Sequence, residues 1–292
     1  MRIRAATRGS ELARWQAEHV AALLREVDPG IEVELVVVDT QGDRRTDVPI
    51  YELGGKGVFA KEVQAAVLDG RADVAVHSAK DLPSVVVPGL VIAAVPERGD
   101  PRDALVGSTL AELPEGAEVA TGSLRRRAEL WRHRPDLRMV NLRGNMRTRL
   151  TRAADHDAAV VAATALDRLD LADQIAERLP VDVMVPQVAQ AALAVECRDG
   201  DDDLRAALAR IEHAPTRRCV DAERAFLAEL GGDCSLPAGA HAVIDGDELT
   251  VSGFLGAPDA RATVRASASG TEPAVGAALA ADLRDRLGEV PT

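Results

Sequence analysis

Nine arginines lie between Thr121 and Leu150: Arg125, Arg126, Arg127, Arg132, Arg134, Arg138, Arg143, Arg147 and Arg149, against only Glu129 and Asp136 in the same stretch. The whole chain has a formal net charge of -12, so an acidic protein has gathered its cations in one short segment. A planar guanidinium takes a carboxylate or phosphate through two parallel hydrogen bonds, which points to anion binding as the chemistry of this stretch, with a solvated basic helix that offsets acidic surface elsewhere as the alternative. A second group lies upstream. The only lysines, Lys56, Lys61 and Lys80, fall within 25 residues of one another, as if a compact ammonium were needed at one place. Asp81 follows Lys80 beyond the end of a short apolar strand, where it can stabilise a developing cation, shuttle a proton, or simply cap the turn at Leu82-Pro83. His77 reads as a satisfied buried histidine rather than a base.

The three cysteines differ in what they can do. Cys197 sits in the apolar run LAVEC and reads as core. Cys219 neighbours Arg217 and Arg218, which would lower a thiol pKa, but it shares a helix face with Ala222, Phe226 and Leu230 and is expected to pack inward. Cys234, on a glycine-rich loop, is the candidate for covalent chemistry, with an inert loop thiol as the alternative. An odd cysteine count without metal-ligand spacing argues against a disulfide framework or a zinc site.

The elements that must position these groups repeat a theme. Ala6-Thr7-Arg8-Gly9-Ser10 leads from a strand over Arg2 to Ala6 into a helix capped by Ser10 and running to Val27. Ala120-Thr121-Gly122-Ser123 leads from a strand over Glu118 to Ala120 into a helix over Leu124 to His133, with Ser123 at its N-cap. A further strand over Leu137 to Leu142 precedes a helix starting at Gly144. Free N–H groups and the positive dipole end sit at such helix starts, and strand ends line the cleft between two α/β lobes. Strands are also expected at Ile31 to Val38, Val74 to Val76, Leu90 to Val95, Asp157 to Ala163 and Leu193 to Cys197. The apolar end of Ile31 to Val38 reads as sheet covered on both faces. Helices are expected at Val58 to Asp69 and Asp201 to His213. Thr40 to Gly57 reads as a mobile polar loop near the site, Pro96 to Pro101 as a hinge and Val185 to Ala191 as a crossover. From Ala214 the pattern changes. A helix over Arg217 to Leu230 precedes the cysteine loop. Strands at His241 to Ile244, Glu248 to Leu255 and Ala262 to Ser267 and a helix over Glu272 to Leu287 then make a small α+β domain.

At 292 residues the chain can hold two or three domains. With no apolar run long enough to span a bilayer and no apolar signal region in MRIRAATRGS, it reads as cytoplasmic and not membrane-bound. The acidic balance argues against nucleic-acid binding, and without a large apolar surface stripe the chain reads as a monomer.

Several segments together resemble the porphobilinogen deaminase (hydroxymethylbilane synthase) family: ATRGSELARWQAEHV, GGKGVFAKEV, HSAKDLP, GDPRDALV, TGSLRRRAEL, NLRGNMRTRL, QAALAVECR and GGDCSLPAGA. They occur in the family's order and span nearly the whole chain. The resemblance implies two lobes like type II periplasmic binding proteins with a cleft, residues 1–96 with 192–213 and residues 100–188, plus an α+β domain over 214–292. It implies one covalent dipyrromethane cofactor per chain, held by a thioether to Cys234, and the condensation of four porphobilinogens in heme biosynthesis with loss of ammonia. Asp81 would assist that loss and stabilise the azafulvene cation. Arg8, Ser10, Lys56, Ser78, Lys80, Thr121, Ser123, Arg125, Arg126, Arg143, Arg149 and Gln190 would bind the cofactor or the substrate carboxylates. Lys61 would follow the loop, and Phe59 could cover the site.

The sequence departs from the family pattern at Val188-Ala189-Gln190-Ala191, where glycines usually stand for both alanines. If positive φ is needed there, alanine costs about 1 kcal/mol or more. Asp233 replaces the glycine usual before the cysteine and would raise the thiol pKa of Cys234, and the family's A-G-L reads Thr164-Ala165-Leu166. A two-lobed binding or sensor protein that clamps a dicarboxylate would explain the arginines, but neither Asp81 nor Cys234.

Overall fold

The strand residues at the start of the chain are apolar at inward positions, and they begin a mixed sheet. The computed structural model describes residues 1–40, 42, 57–231 and 236–288. In chain order β1 (Arg2–Arg8), α1 (Glu11–Val27), β2 (Glu32–Val38), α2 (Lys61–Leu68), β3 (Val74–Ser78) and β4 (Leu90–Ala94) come first. Next are β5 (Asp103–Val106), β6 (Glu118–Ala120), α3 (Leu124–His133), β7 (Arg138–Val140), α4 (Met146–Ala153), β8 (Ala158–Ala162), α5 (Ala163–Asp167) and β9 (Ile175–Arg178). The chain then runs through β10 (Leu193–Arg198), α6 (Asp202–Ala209), α7 (Ala214–Glu229), β11 (Ala238–Asp245), β12 (Glu248–Gly256), β13 (Thr263–Gly270) and α8 (Ala274–Gly288).

Two units result. The first takes in the described residues up to Gly99 together with Ala191–Arg217; the second takes in Asp100–Gln190 and the described residues from Arg218 onward. In the first, the sheet order is β2-β1-β3-β10-β4, with β1 parallel to β2 and β3, and β10 antiparallel to both β3 and β4. One face buries Ile3, Val20, Leu24, Val76, Val195 and Leu208; the other buries Ala6, Val63, Val67 and Leu90. The expectation of two-sided cover holds in part at the end of β2: Leu35 packs against the first core and Val36 and Val38 against the second, but Val37 is left open. That strand is the sheet edge, Val38 alone of its residues is buried, and Val37 is 49% exposed.

The second unit repeats the plan in its order β7-β6-β8-β5-β9, again with one strand, β5, antiparallel to its neighbours. Its core is Leu105, Val119, Leu130, Val160, Leu179 and Met184. The third sheet, β11-β12-β13, is an antiparallel meander. There α8 lies so close to α7 that a Cβ at Gly276 would sit 1.9 Å from the Ala222 carbonyl oxygen. Two α/β lobes of one plan plus a small α+β element are therefore what the sheets build. β5 and β9, each four residues long, were not expected, because runs this short carry little alternation. The helix expected from Gly144 begins instead at Met146, with Asn145 as its cap; Gly144 itself sits at φ 112.

The crossover contains backbone strain. Ala189 has φ 56 and Ala191 φ 70, so both alanines occupy the left-handed region, at a cost of about 1–2 kcal/mol each. Among the described residues no helix is long and apolar enough to cross a membrane, and no group of three His, Cys, Asp or Glu is placed to hold a metal ion.

Candidate active site

Parallel neighbours β1 and β3 end side by side, and each end carries a polar turn, the usual place for functional groups in an α/β sheet. After β1, Thr7 is buried and its hydroxyl donates to the Ala13 carbonyl at 3.0 Å. The Ser10 hydroxyl accepts from the Ala13 N–H at 3.3 Å, the expected cap of α1. After β3, Ala79-Lys80-Asp81 form one 3-10 turn, anchored by the Ala79 N–H on the Ala192 carbonyl at 3.0 Å. The two turns meet where Arg8 Nη1 lies 3.9 Å from Asp81 Oδ2, both side chains about a quarter exposed. The Arg8 guanidinium carbon stands 4.1 Å from the centre of the Phe59 ring, a cation–π contact. Phe59 thus covers Arg8. Ser78 accepts from the buried amide of Gln16 at 2.7 Å, a partner with no signal in the sequence. His77 is buried, with Nε2 3.1 Å from Glu196 Oε2, and the same oxygen accepts from Gln64 Nε2 at 2.8 Å. It is buried in the core, as expected, but its Nε2 makes no hydrogen bond among the described residues, so it is not the satisfied histidine that the sequence suggested.

In the second unit β6 ends at the turn Thr121-Gly122-Ser123. A Cβ at Gly122 would lie 2.8 Å from the Leu142 carbonyl oxygen, so the turn requires glycine. Thr121 is buried and its hydroxyl accepts from the Ser123 N–H at 3.3 Å; Ser123 caps α3 through the Arg126 N–H at 3.4 Å. The arginines that follow do not all point to solvent. Arg125 Nη2 donates to Asp103 Oδ2 at 2.7 Å and Nη1 to the Val185 carbonyl at 2.6 Å. Arg126 places Nε and Nη2 on Asp103 Oδ1, at 3.0 and 2.7 Å, and Nη1 on the Val160 carbonyl at 3.1 Å. Gln190 Nε2 joins them on Asp103 Oδ1 at 3.0 Å and also donates to the Pro101 carbonyl at 2.7 Å. All four residues are buried. Burial alone would raise the Asp103 pKa, but the charges of Arg125 and Arg126 and the Gln190 amide outweigh it and hold the carboxyl at about 2, against an ordinary 3.8.

Sequence reasoning missed Asp103. It lies within GDPRDALV, but a four-residue strand gave no reason to single out one of its carboxylates. At the next helix start Arg143 is buried, its carbonyl accepts from Arg152 Nη1 at 3.2 Å, and Arg149 Nε donates to the Gly144 carbonyl at 2.9 Å. Arg127 instead donates to its own turn at the Thr121 carbonyl, at 3.1 and 3.4 Å. Arg127→Ala is therefore expected to retain most turnover, whereas Arg143→Ala loses at least tenfold; equal losses in a steady-state assay would mean that the cluster has been read in the wrong register. Cys197 is buried in the core and burial pushes its thiol up to about 11; Cys219 is buried as well. Both match their expectation as packing residues. Lys56, Asp233 and Cys234 lie outside the described residues.

Residues 3–206 match the family model "Porphobilinogen deaminase, dipyromethane cofactor binding domain", and residues 217–286 match that family's C-terminal domain. The chain belongs to the porphobilinogen deaminase family. It is 46% identical to the porphobilinogen deaminase of Syntrophotalea carbinolica over 97% of this chain and 93% of that one, and 44% identical to that of Geobacter metallireducens over 92% and 86%. Among solved structures it is similar to the BenM effector binding domain with benzoate (TM-score 0.40, 13% identity, 71% of this chain and 88% of that chain). It is also similar to the periplasmic aliphatic sulphonate binding protein SsuA from Escherichia coli (TM-score 0.39, 14% identity, 79% and 70%). The family's activity is this chain's: a transferase joins four porphobilinogens head to tail on a covalent dipyrromethane, with loss of ammonia, and hydrolysis releases hydroxymethylbilane for tetrapyrrole biosynthesis.

The residues present fit such a cofactor. Its pyrroles carry acetate and propionate groups, so a donor set of arginines, hydroxyls and helix starts suits it. Arg125, turned inward onto Asp103, keeps a buried Nε with no acceptor among the described residues.

Proposed function

We propose that Asp81 is the carboxylate that acts on the reacting pyrrole and that Cys234 anchors the dipyrromethane. In the same reading Arg8, Ser10, Lys56, Ser78, Lys80, Thr121, Ser123, Arg143 and Arg149 receive the acetate and propionate groups. The observation that carries this reading is the meeting of Arg8 and Asp81 at adjacent strand ends, 3.9 Å apart. The contact is loose and the Asp81 carboxylate partly exposed, so one oxygen can accept a pyrrole N–H. Its negative charge stabilises the positive charge that builds on the pyrrole as ammonia departs. Arg8, braced by Phe59, is placed to receive a carboxylate beside the reacting ring. When bound, the dipyrromethane supplies the terminal pyrrole carbon to which the next unit is joined.

Arg125, Arg126 and Gln190 enter this reading through Asp103. Two guanidiniums against one carboxylate leave a net positive charge beneath the Ser123 helix start, which favours anions there. We also infer a three-domain division, with α7, α8 and the β11–β13 meander as the third domain, and a chain that works as a cytoplasmic monomer on porphobilinogen, without nucleic acid.

The intact mass of the purified protein tests the anchor. Wild type should be heavier than its sequence by two condensed pyrrole units, and Cys234→Ser should not. A bare wild type that gains no mass on incubation with porphobilinogen would remove the reading.

A further inference from the structure

Four non-glycine residues among those described have positive φ, and two of them, Ala189 and Ala191, lie within three residues in the crossover. A strained backbone persists only where its surroundings over-determine it, and the second unit supplies the restraint. The Ala189 N–H donates to Glu223 Oε2 at 2.6 Å, and Glu223 is fully buried. The other oxygen of that carboxylate accepts the Ala242 N–H of β11 at 2.8 Å and lies 3.5 Å from His241 Nδ1. Glu223 belongs to α7, which ends at Glu229, five residues before Cys234 in the sequence; β11 starts at Ala238, four residues after it. One carboxylate therefore ties both flanks of the cysteine loop to the crossover. A separate observation points the same way. A Cβ at Gly239 of β11 would lie 2.7 Å from the Pro186 carbonyl oxygen, 2.8 Å from that of Val185 and 2.9 Å from Arg125 Cδ, so β11 presses directly on the crossover. The residue after Ala189 is Gln190, whose amide reaches Asp103 and so the two buried arginines.

We propose that Glu223 is a positioning residue for the condensation reaction: it locks Ala189 in the left-handed conformation and thereby holds Gln190, Asp103 and the flanks of the cysteine loop in register. The device matters in this chain because alanine, unlike glycine, does not adopt that conformation readily by itself. The reading builds on the established activity and does not depend on which side chains hold the substrate.

The test is a double-mutant cycle on the full-length holoenzyme, with Glu223→Gln, Ala189→Gly and the double variant, measuring kcat, KM for porphobilinogen, intact mass and thermal midpoint. Glu223→Gln is expected to lower kcat at least tenfold with KM changed less than twofold. Adding Ala189→Gly should recover at least a third of the logarithmic loss, because glycine holds the turn without the carboxylate. A kcat for Glu223→Gln within twofold of wild type would overturn the proposal, as would a loss that Ala189→Gly does not reduce. If Glu223→Gln does not fold, the double variant decides: a folded double variant supports the lock, and an equally unfolded one overturns it.

Discussion

Asp81→Asn is expected to retain a covalently attached cofactor by intact mass while turnover falls by about a hundredfold to ten-thousandfold, the range for removing a positioned acid–base or charge-stabilising group. Asparagine keeps the size of the side chain and the turn that holds it, since Ala79-Lys80-Asp81 is fixed through the Ala79 N–H rather than the carboxylate. What disappears is the negative charge beside Arg8 Nη1, 3.9 Å away. An amide oxygen can still accept a pyrrole N–H, but it cannot offset a full positive charge. KM should move little. A variant with wild-type kcat would exclude Asp81 from the chemistry; one without cofactor would relocate its role to assembly of the holoenzyme.

Asp103→Asn should have the largest effect on stability. It removes the anion that Arg125 and Arg126 share in a buried cluster. Breaking a buried pair from one side costs about 3–5 kcal/mol, because the remaining charge is left uncompensated. A fall in thermal midpoint on the order of 10 °C follows. The sign of the pH dependence can be worked out. Asp103 has a folded pKa of about 2, below the ordinary 3.8, so its contribution is fully present above pH 3.8 and is lost as pH falls toward 2. The lost amount is about 2 kcal/mol. The stability gap between wild type and Asp103→Asn should therefore be constant from pH 7 to 5 and narrow below pH 4 in denaturant titrations. A gap that stays constant through pH 2.5 would show that the carboxylate is not the form the cluster requires. Turnover should drop as well, since the cluster lies beneath the helix start capped by Ser123.

The two pairs of strand, turn and helix were legible because their causes are local. Ser10 and Ser123 cap helices three residues ahead, and both caps are present. The same holds for the inward packing of Cys219 and for the meander of β11 to β13, where alternation and turn residues recur within ten positions. Less local features were missed. The pairing of β5 with β8 and β9 could not be read from four residues, and the exposure of Val37 follows from the edge position of β2 rather than from its own apolar run. The alanines at 189 and 191 were visible as departures from the family pattern, but only the folded chain shows that both adopt positive φ.

The site divides along the same line. Sequence alone determined the family, the anionic character of the ligand and the identity of the candidate acid Asp81 and anchor Cys234, because these depend on residue type within short motifs. Tertiary structure decided which arginines are spent on the protein itself. Arg125 and Arg126 are indistinguishable in sequence from solvent-facing cations, yet they turn inward onto Asp103, a carboxylate more than twenty residues away. It also brought Arg8 to Asp81 across two adjacent strand ends and set Glu223 against Ala189 over 34 residues of chain. A buried charge must find its partner wherever the fold brings one near, and that choice depends on sheet order and packing, which no local pattern of residues encodes.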